Sequence, residues 1–381
     1  MKIKCKLCEK EVHSIQIHLN KEHANEEVGI EDYRVMYPDE PVFSEEALKK
    51  LESKKTYMTT AGSAVKKVVD INTAYREPLA KLFKVSGAKS KNSRGEDIII
   101  KTFPCDEEHK SLIPEIDNDH VWDIDLLKDA LMGLDLKMPT LIWGHAGTGK
   151  STSFENIASR LGLPMMRVQH TANTEESHIL GQWTVKDGET VFELGPLPLA
   201  MKYGYMYLAD EYDFAFPSVL SVYQPVMEGK SLLIKEADAE NRVIKPHKNF
   251  RFVATGNTNG TGDESGLYQG TNIQNAANYS RFGMTIEAGY MEKKYEIKIL
   301  MKKAGVLKED AEKLVNFASS LREAFSANKI GSTIGPRELI HAGMIGSRKG
   351  DLRNGLKCAF VNRLSEVDAE AVDQIAQRYL G

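Results

Sequence analysis

The sequence predicts an α/β fold: a parallel sheet flanked by helices, with a helical C-terminal part and a small metal-binding module at the N-terminus. Three observations predict it. Gly144-His145-Ala146-Gly147-Thr148-Gly149-Lys150-Ser151 has the G-x-x-x-x-G-K-[ST] spacing of a phosphate-binding P-loop, between an apolar run and a helix-forming run. Two further apolar runs end in polar tips, at Asp210-Glu211 and at Asn257. Cys5 and Cys8 are followed by His18 and His23 at a spacing that suits one tetrahedral metal ion.

Length and charge bound the rest. A chain of 381 residues accommodates two or three domains. Charged residues are 27% of it and the net charge is −4, so no global basic field marks it for nucleic acid. No apolar run approaches the roughly 18–20 residues of a membrane span, and the polar N-terminus is unlike a signal peptide. Four Cys do not make a disulfide framework, with Cys105 and Cys358 isolated, and this fits a reducing cytoplasm. The expected organisation is a zinc finger over 1–40, a helical and linker region over 41–103, an α/β core with two hairpin insertions over 104–290 and a helical domain over 291–381.

In the N-terminal module the spacing is C-x2-C-x9-H-x4-H. Two thiolates on a knuckle and two imidazoles on one helix can close a Zn2+ shell, with His13 a competing ligand too near Cys8 to be preferred. Ile15, Ile17 and Leu19 can pack the helix on the knuckle, and metal binding supplies the folding free energy that so small a core lacks. Lysines and glutamates alternate here, so docking to a protein and docking to DNA are both compatible with the composition. Ser44 to Lys55 reads as a capped helix, acidic first and basic last. Gly87 to Gly95 reads as a flexible basic linker, and Ile98 to Phe103 as a short apolar run before the core.

The core begins with the strand Leu141-Ile142-Trp143, the P-loop and a helix over Ser153–Leu161. The loop glycines let backbone N–H groups turn inward around phosphate. Residues 144–152 therefore form the expected ATP site: Lys150 reaches the β/γ-phosphates, Ser151 ligates Mg2+ and Thr152 opens the helix. Tyr205 to Asp210 is an apolar strand ending in two carboxylates. Asp210 suits the Mg2+ shell, and Glu211 suits the base that polarises the attacking water. Phe250 to Gly256 is a third strand, and Asn257 at its tip can bond the γ-phosphate or that water. A strand over Met284-Thr285-Ile286 follows Arg281, and Pro336-Arg337 opens a later helix. Gln182 to Phe192 can form a hairpin across Asp187-Gly188, and Leu232–Ile234 can pair with Arg242–Ile244.

This order of P-loop, Asp-Glu strand, Asn-tipped strand and two arginines resembles an AAA+ ATPase, and the two hairpins resemble the MoxR branch. Ile113-Pro114-Glu115-Ile116-Asp117, Asp210-Glu211-Tyr212-Asp213, Asn241 to His247, Ala254 to Thr258 and Gly262 to Thr271 resemble the AAA+ subunit family of cobaltochelatases. The short-gap finger resembles the Ros/MucR type. The resemblance implies an AAA+ core and a helical lid over 291–381. It makes Asn257 sensor 1, Arg281 an arginine finger acting on a neighbouring subunit, and Arg337 sensor 2. Ser280 stands where the cobaltochelatase subunits carry Asp. It also implies a homo-oligomer, hexameric in form, and a von Willebrand A-type partner protein. The expected activity is Mg-dependent ATP hydrolysis that remodels a protein client. The alternatives are a DNA-associated motor targeted by its finger and a genuine metal chelatase subunit.

Overall fold

The computed structural model describes residues 3–22, 33, 36–37, 40–45, 75–103, 105–186, 188–263 and 266–381. The helix expected over Ser44–Lys55 lies almost wholly outside them, as does His23. The chain divides into two compact units, Met1–Val69 and Asp70–Gly381.

In the first unit, β1 (Ile3–Lys4) pairs antiparallel with β2 (Glu11–Val12), and α1 (Ile15–Glu22) follows. Cys5, Ile15, Leu19 and Tyr33 are buried together. The Tyr33 hydroxyl accepts the Lys6 N–H at 2.9 Å, which fastens the knuckle to the later segment.

The second unit opens with β3 (Tyr75–Pro78) and α2 (Leu79–Phe83), and β4 (Ile99–Thr102) returns antiparallel to β3. The second half of the region expected as helical and linker over 41–103 contributes to the core of this unit. Leu79, Phe83 and Val85 are buried against Leu127, Phe154 and Leu161. The Gly87–Gly95 stretch is an organised turn, because its ends are held by paired strands and Asn92 Oδ1 accepts the N–H groups of Arg94 (2.9 Å) and Glu96 (3.0 Å). Its polar composition hides this local bonding.

α3 (Ile124–Asp135) is capped by Asp123, whose carboxylate accepts the N–H groups of Asp125 and Leu126. The sheet then builds from β5 (Thr140–Trp143), β6 (Met165–Gln169), β9 (Met206–Asp210), β12 (Arg251–Gly256) and β13 (Met284–Glu287). Its order is β13-β5-β12-β9-β6, and every pairing is parallel. β9 and β12 are buried throughout, as the central strands of a sheet covered on both faces must be. The register sets Gly256 beside Trp143 and Gln169 beside Asp210, so the loops after four strands open on one edge. Ligands of open α/β sheets bind at this edge.

α4 (Lys150–Leu161) lies on one face of the sheet. α5 (Glu176–Leu180) leads into the hairpin of β7 (Gly181–Lys186) and β8 (Glu189–Leu194), and α6 (Pro196–Tyr203) follows. A second hairpin pairs β10 (Leu232–Leu233) with β11 (Val243–Ile244). After α7 (Ala276–Tyr279) and β13, the chain forms a separate helical core from α8 (Lys293–Ile299), α9 (Lys308–Ser326), α10 (Pro336–Lys349), α11 (Leu352–Ala359) and α12 (Glu366–Leu380). No helix among the described residues is long and apolar enough to cross a membrane.

Candidate nucleotide site and metal-binding cluster

The P-loop joins β5 to α4. Gly149 sits at φ 86° where α4 begins, a conformation that L side chains rarely adopt. Gly144 adopts φ 147°, and a Cβ there would stand 2.2 Å from the Ala288 carbonyl oxygen. The loop therefore passes so close to the segment after β13 that only glycine fits. The free N–H groups of the α4 N-terminus face the loop and favour an anion.

Lys150 is almost fully buried. Its ammonium donates to the carbonyls of Gly144 (2.7 Å) and His145 (2.9 Å) and to Asn257 Oδ1 (3.1 Å). Burial pushes its pKa down to about 8, against the pull of Asp213, Asp210 and Glu211. Ser151 Oγ donates to Asp210 Oδ1 at 2.6 Å, and Thr255 Oγ1 donates to the same oxygen. Burial alone would raise the Asp210 carboxyl; those two bonds and the Arg167 guanidinium hold it below its ordinary value. A hydroxyl beside an ionised carboxylate is an oxygen donor set that fits Mg2+.

Glu211 follows Asp210 in the left-handed region, at φ 53° and ψ 44°. Its N–H donates to Thr255 Oγ1 at 3.2 Å, and its Oε2 accepts from Gln169 Nε2 at 2.7 Å. Strain of this kind in a non-glycine residue gathers at functional sites. Asn257 is placed through its backbone: the Asp213 carboxylate accepts the N–H of Asn257 (2.9 Å), the N–H of Thr258 (2.8 Å) and the Thr258 hydroxyl (2.8 Å).

A cleft of about 240 Å³ lies beside the loop. Gly147, Thr148, Gly149 and Thr152 form one wall and Arg337, from the second position of α10, another. His120 and Val121 close it from the segment before α3. Burial lowers the His120 pKa to about 4, and Asp117, which lines the same wall, pairs with Lys303. The structure therefore brings Lys150, Ser151, Asp210, Glu211 and Asn257 together on three adjacent strand tips, with Arg337 across the cleft.

Arg281 is not among the residues lining the cleft. Its Nε donates to Glu228 Oε1 at 2.7 Å, and it also bonds the Ala277 carbonyl. Arg167, Gln169 and Asp213 were missed by the sequence reading. Arg167 donates from Nε to Asp210 Oδ2 at 2.8 Å and from Nη1 to Glu155 at 2.8 Å. The available signal was the Met-Met-Arg-Val-Gln run, where two polar residues two apart share one strand face.

In the first unit, ligand atoms of Cys5, Cys8 and His18 lie within 4.8 Å of one another. Cys8 Sγ is 3.0 Å from His18 Nε2. Two thiols and an imidazole at this separation fit Zn2+. His13 Nδ1 instead meets the Ser44 hydroxyl at 2.8 Å.

A strand-loop-helix phosphate site at the open edge of a parallel sheet, roofed by a helical domain, defines a P-loop ATPase. Residues 139–282 match the AAA domain (dynein-related subfamily), and residues 296–379 match the CbbQ/NirQ/NorQ C-terminal domain. The aerobic cobaltochelatase subunit CobS of Sinorhizobium sp is 31% identical over 289 residues, covering 73% of this chain and 86% of that protein. NorQ of Paracoccus denitrificans is 25% identical, over 61% of this chain and 82% of that protein. The RuvB Holliday junction branch migration motor of Thermotoga maritima aligns over 70% of this chain and 72% of its own, at 14% identity and a TM-score of 0.40. The chain belongs to the MoxR branch of the AAA+ ATPases, and its activity is that of an ATPase.

Proposed function

We propose that this chain is the Mg-dependent motor of a homo-oligomeric ring, hexameric as the resemblance implies, that uses ATP hydrolysis to remodel a protein client. The observation that carries the reading is the convergence of Lys150, Ser151, Asp210, Glu211 and Asn257 on one sheet edge. Phosphates seat on the N–H groups of residues 147–151. Lys150 exchanges two carbonyl partners for phosphate oxygens. Ser151 and Asp210 hold Mg2+, which when bound neutralises phosphate charge and polarises the γ-phosphoryl group. Glu211, released from Gln169, takes the proton of the attacking water, and Asn257 orients that water. Arg281 leaves Glu228 to serve the neighbouring subunit's site, and Arg337 transmits phosphate loss to the lid.

The client reading is supported by the two hairpins. Trp183 and Val185 on the first, and Leu233 and Val243 on the second, are more than half exposed. Exposed apolar residues gathered on projecting elements mark contact with another protein. In the first unit we assign Zn2+ to Cys5, Cys8 and His18, with His23 as the fourth ligand; the metal holds the knuckle to the helix. Lys6 pairs with Glu40 at 2.8 Å and Lys10 with Glu22, so these charges are partly spent within the module. That favours docking to a protein, a von Willebrand A-type partner by resemblance, over docking to DNA. A chelatase-subunit role is the second reading, favoured by the 31% identity to CobS.

Glu211→Gln provides the test. It should bind ATP as tightly as the native chain, lose at least about 100-fold in turnover, and accumulate as an ATP-bound ring that retains its client. Unchanged turnover would remove Glu211 from its role. A monomer at every ATP concentration would end the ring reading.

A further inference from the structure

The segment over residues 266–274 reaches back to the phosphate loop. It is anchored where Asn272 N–H donates to the Asp213 carbonyl (2.8 Å) and Gln274 N–H to the Gly260 carbonyl (2.9 Å). Asp213 is the residue whose side chain holds Asn257. From this base Tyr268 extends to the P-loop. Its hydroxyl accepts the Ala146 N–H at 3.0 Å and lies 2.9 Å from His145 Nδ1. A tyrosine hydroxyl has one proton to donate. The oxygen accepts the Ala146 N–H, and the hydroxyl and His145 Nδ1 share one further hydrogen bond.

His145 is held from its other partners as well. It stacks on Tyr290, centroids 5.5 Å apart and planes within 7°. The Arg322 guanidinium lies 3.7 Å from the Tyr290 ring centroid and pairs with the buried carboxylate of Glu296 at 2.8 Å. The Tyr290 hydroxyl meets Thr333 Oγ1 at 3.3 Å. The second and third residues of the P-loop are thus gripped by a side chain 123 and 122 positions downstream, and the second also by a ring bridging to the lid.

The geometry points to Tyr268 as a positioning residue for nucleotide binding: its hydroxyl holds His145 and Ala146 so that the P-loop keeps its phosphate-binding shape before phosphate arrives. This rests on ATP occupying the P-loop. A loop already shaped loses little freedom on binding; a loop without the hydroxyl must be ordered by the ligand itself. The cost then falls on affinity. Once nucleotide is seated, its phosphates impose the same shape, and the chemical step, run by Glu211, Asn257 and the neighbour's arginine, proceeds as before. Tyr268 is not among the residues lining the cleft.

The test uses the full chain and a fluorescent ATP analogue, with Kd, KM and kcat measured for the native protein, Tyr268→Phe, His145→Leu and the double variant. Tyr268→Phe keeps the ring and removes one oxygen. It should raise Kd and KM about fivefold, the worth of one hydrogen bond, and leave kcat within about twofold. The double variant should be no weaker than the weaker single variant, because both changes break one unit. Unchanged Kd and KM in Tyr268→Phe, or a fall in kcat at unchanged KM, overturns the assignment. If Tyr268→Phe does not fold, Asp263→Ala, which removes the carboxylate that accepts the Tyr268 N–H at 2.6 Å, carries the same KM-against-kcat expectation and the same refutation. A native chain that fails to bind the analogue refutes the P-loop reading itself and this inference with it, a result distinct from selective failure of the variants.

Discussion

At the residue scale, the chemistry depends on charges kept out of water. Lys150 is the clearest case, its pKa brought down to about 8 by burial. ATP binding uses the ammonium form, so affinity should fall above pH 8 by up to about tenfold per pH unit. Titration of Kd from pH 7 to 9.5 checks this, and a flat profile would contradict it. The effect on folding has the opposite sign. The unfolded chain keeps this proton up to its ordinary value of 10.5, so between about 8 and 10.5 it binds more protons than the folded chain. Folding therefore gains stability from Lys150 as pH rises through that window, and Lys150→Met should lack the gain. Lys150 and Ser151 were legible in the sequence because the spacing of their loop follows from the shape of a phosphate, and Asp210 because an apolar strand ends there in two carboxylates. Asp213 and Gln169 were not. Each acts on a residue 42 to 44 positions away, and only the sheet register sets them side by side.

At the element scale, the strands ending in polar tips could be read because a buried apolar run stops where it meets function. The two hairpins were legible from turn residues flanked by β-formers. Residues 75–103 were not, because composition cannot show that β3 and β4 pair or that Leu79 and Phe83 face Phe154 and Leu161. The N-terminal module has four buried hydrophobic residues among those described, Cys5, Ile15, Leu19 and Tyr33. So small a core does not sustain a fold without a cross-link or metal. Removing Zn2+ with a chelator should therefore abolish the structure of residues 3–22, read by loss of amide protection there, while the thermal transition of the ATPase unit stays within about 2 °C. Retained protection after complete metal removal would refute the zinc assignment.

At the scale of the whole molecule, one chain carries nearly every group that the proposed hydrolysis uses, and the exception is informative. Arg281 is tied to Glu228 rather than lining the cleft of its own chain. Arg281→Ala should keep ATP affinity within about threefold yet lose 100-fold or more in turnover. Rings mixed with Lys150→Ala subunits should recover part of the rate, because such a partner supplies the missing arginine to an intact site. A normal rate for Arg281→Ala alone, or no recovery in mixed rings, would remove its role in trans. Arg281 stands out in the sequence by its position in a motif order; its ion pair with Glu228 is visible only in the folded chain.

The near-collision of Gly144 with the Ala288 carbonyl has a mechanical consequence. Ala288 N–H also donates to the Trp143 carbonyl at 2.7 Å, so the polypeptide leaves the sheet for the lid from a point pinned beside the phosphate loop. A fulcrum set that close to the bound phosphates gives the lid a long arm and the nucleotide a short one. On the proposed mechanism, slight shifts where ATP is cleaved would become large excursions at the far helices.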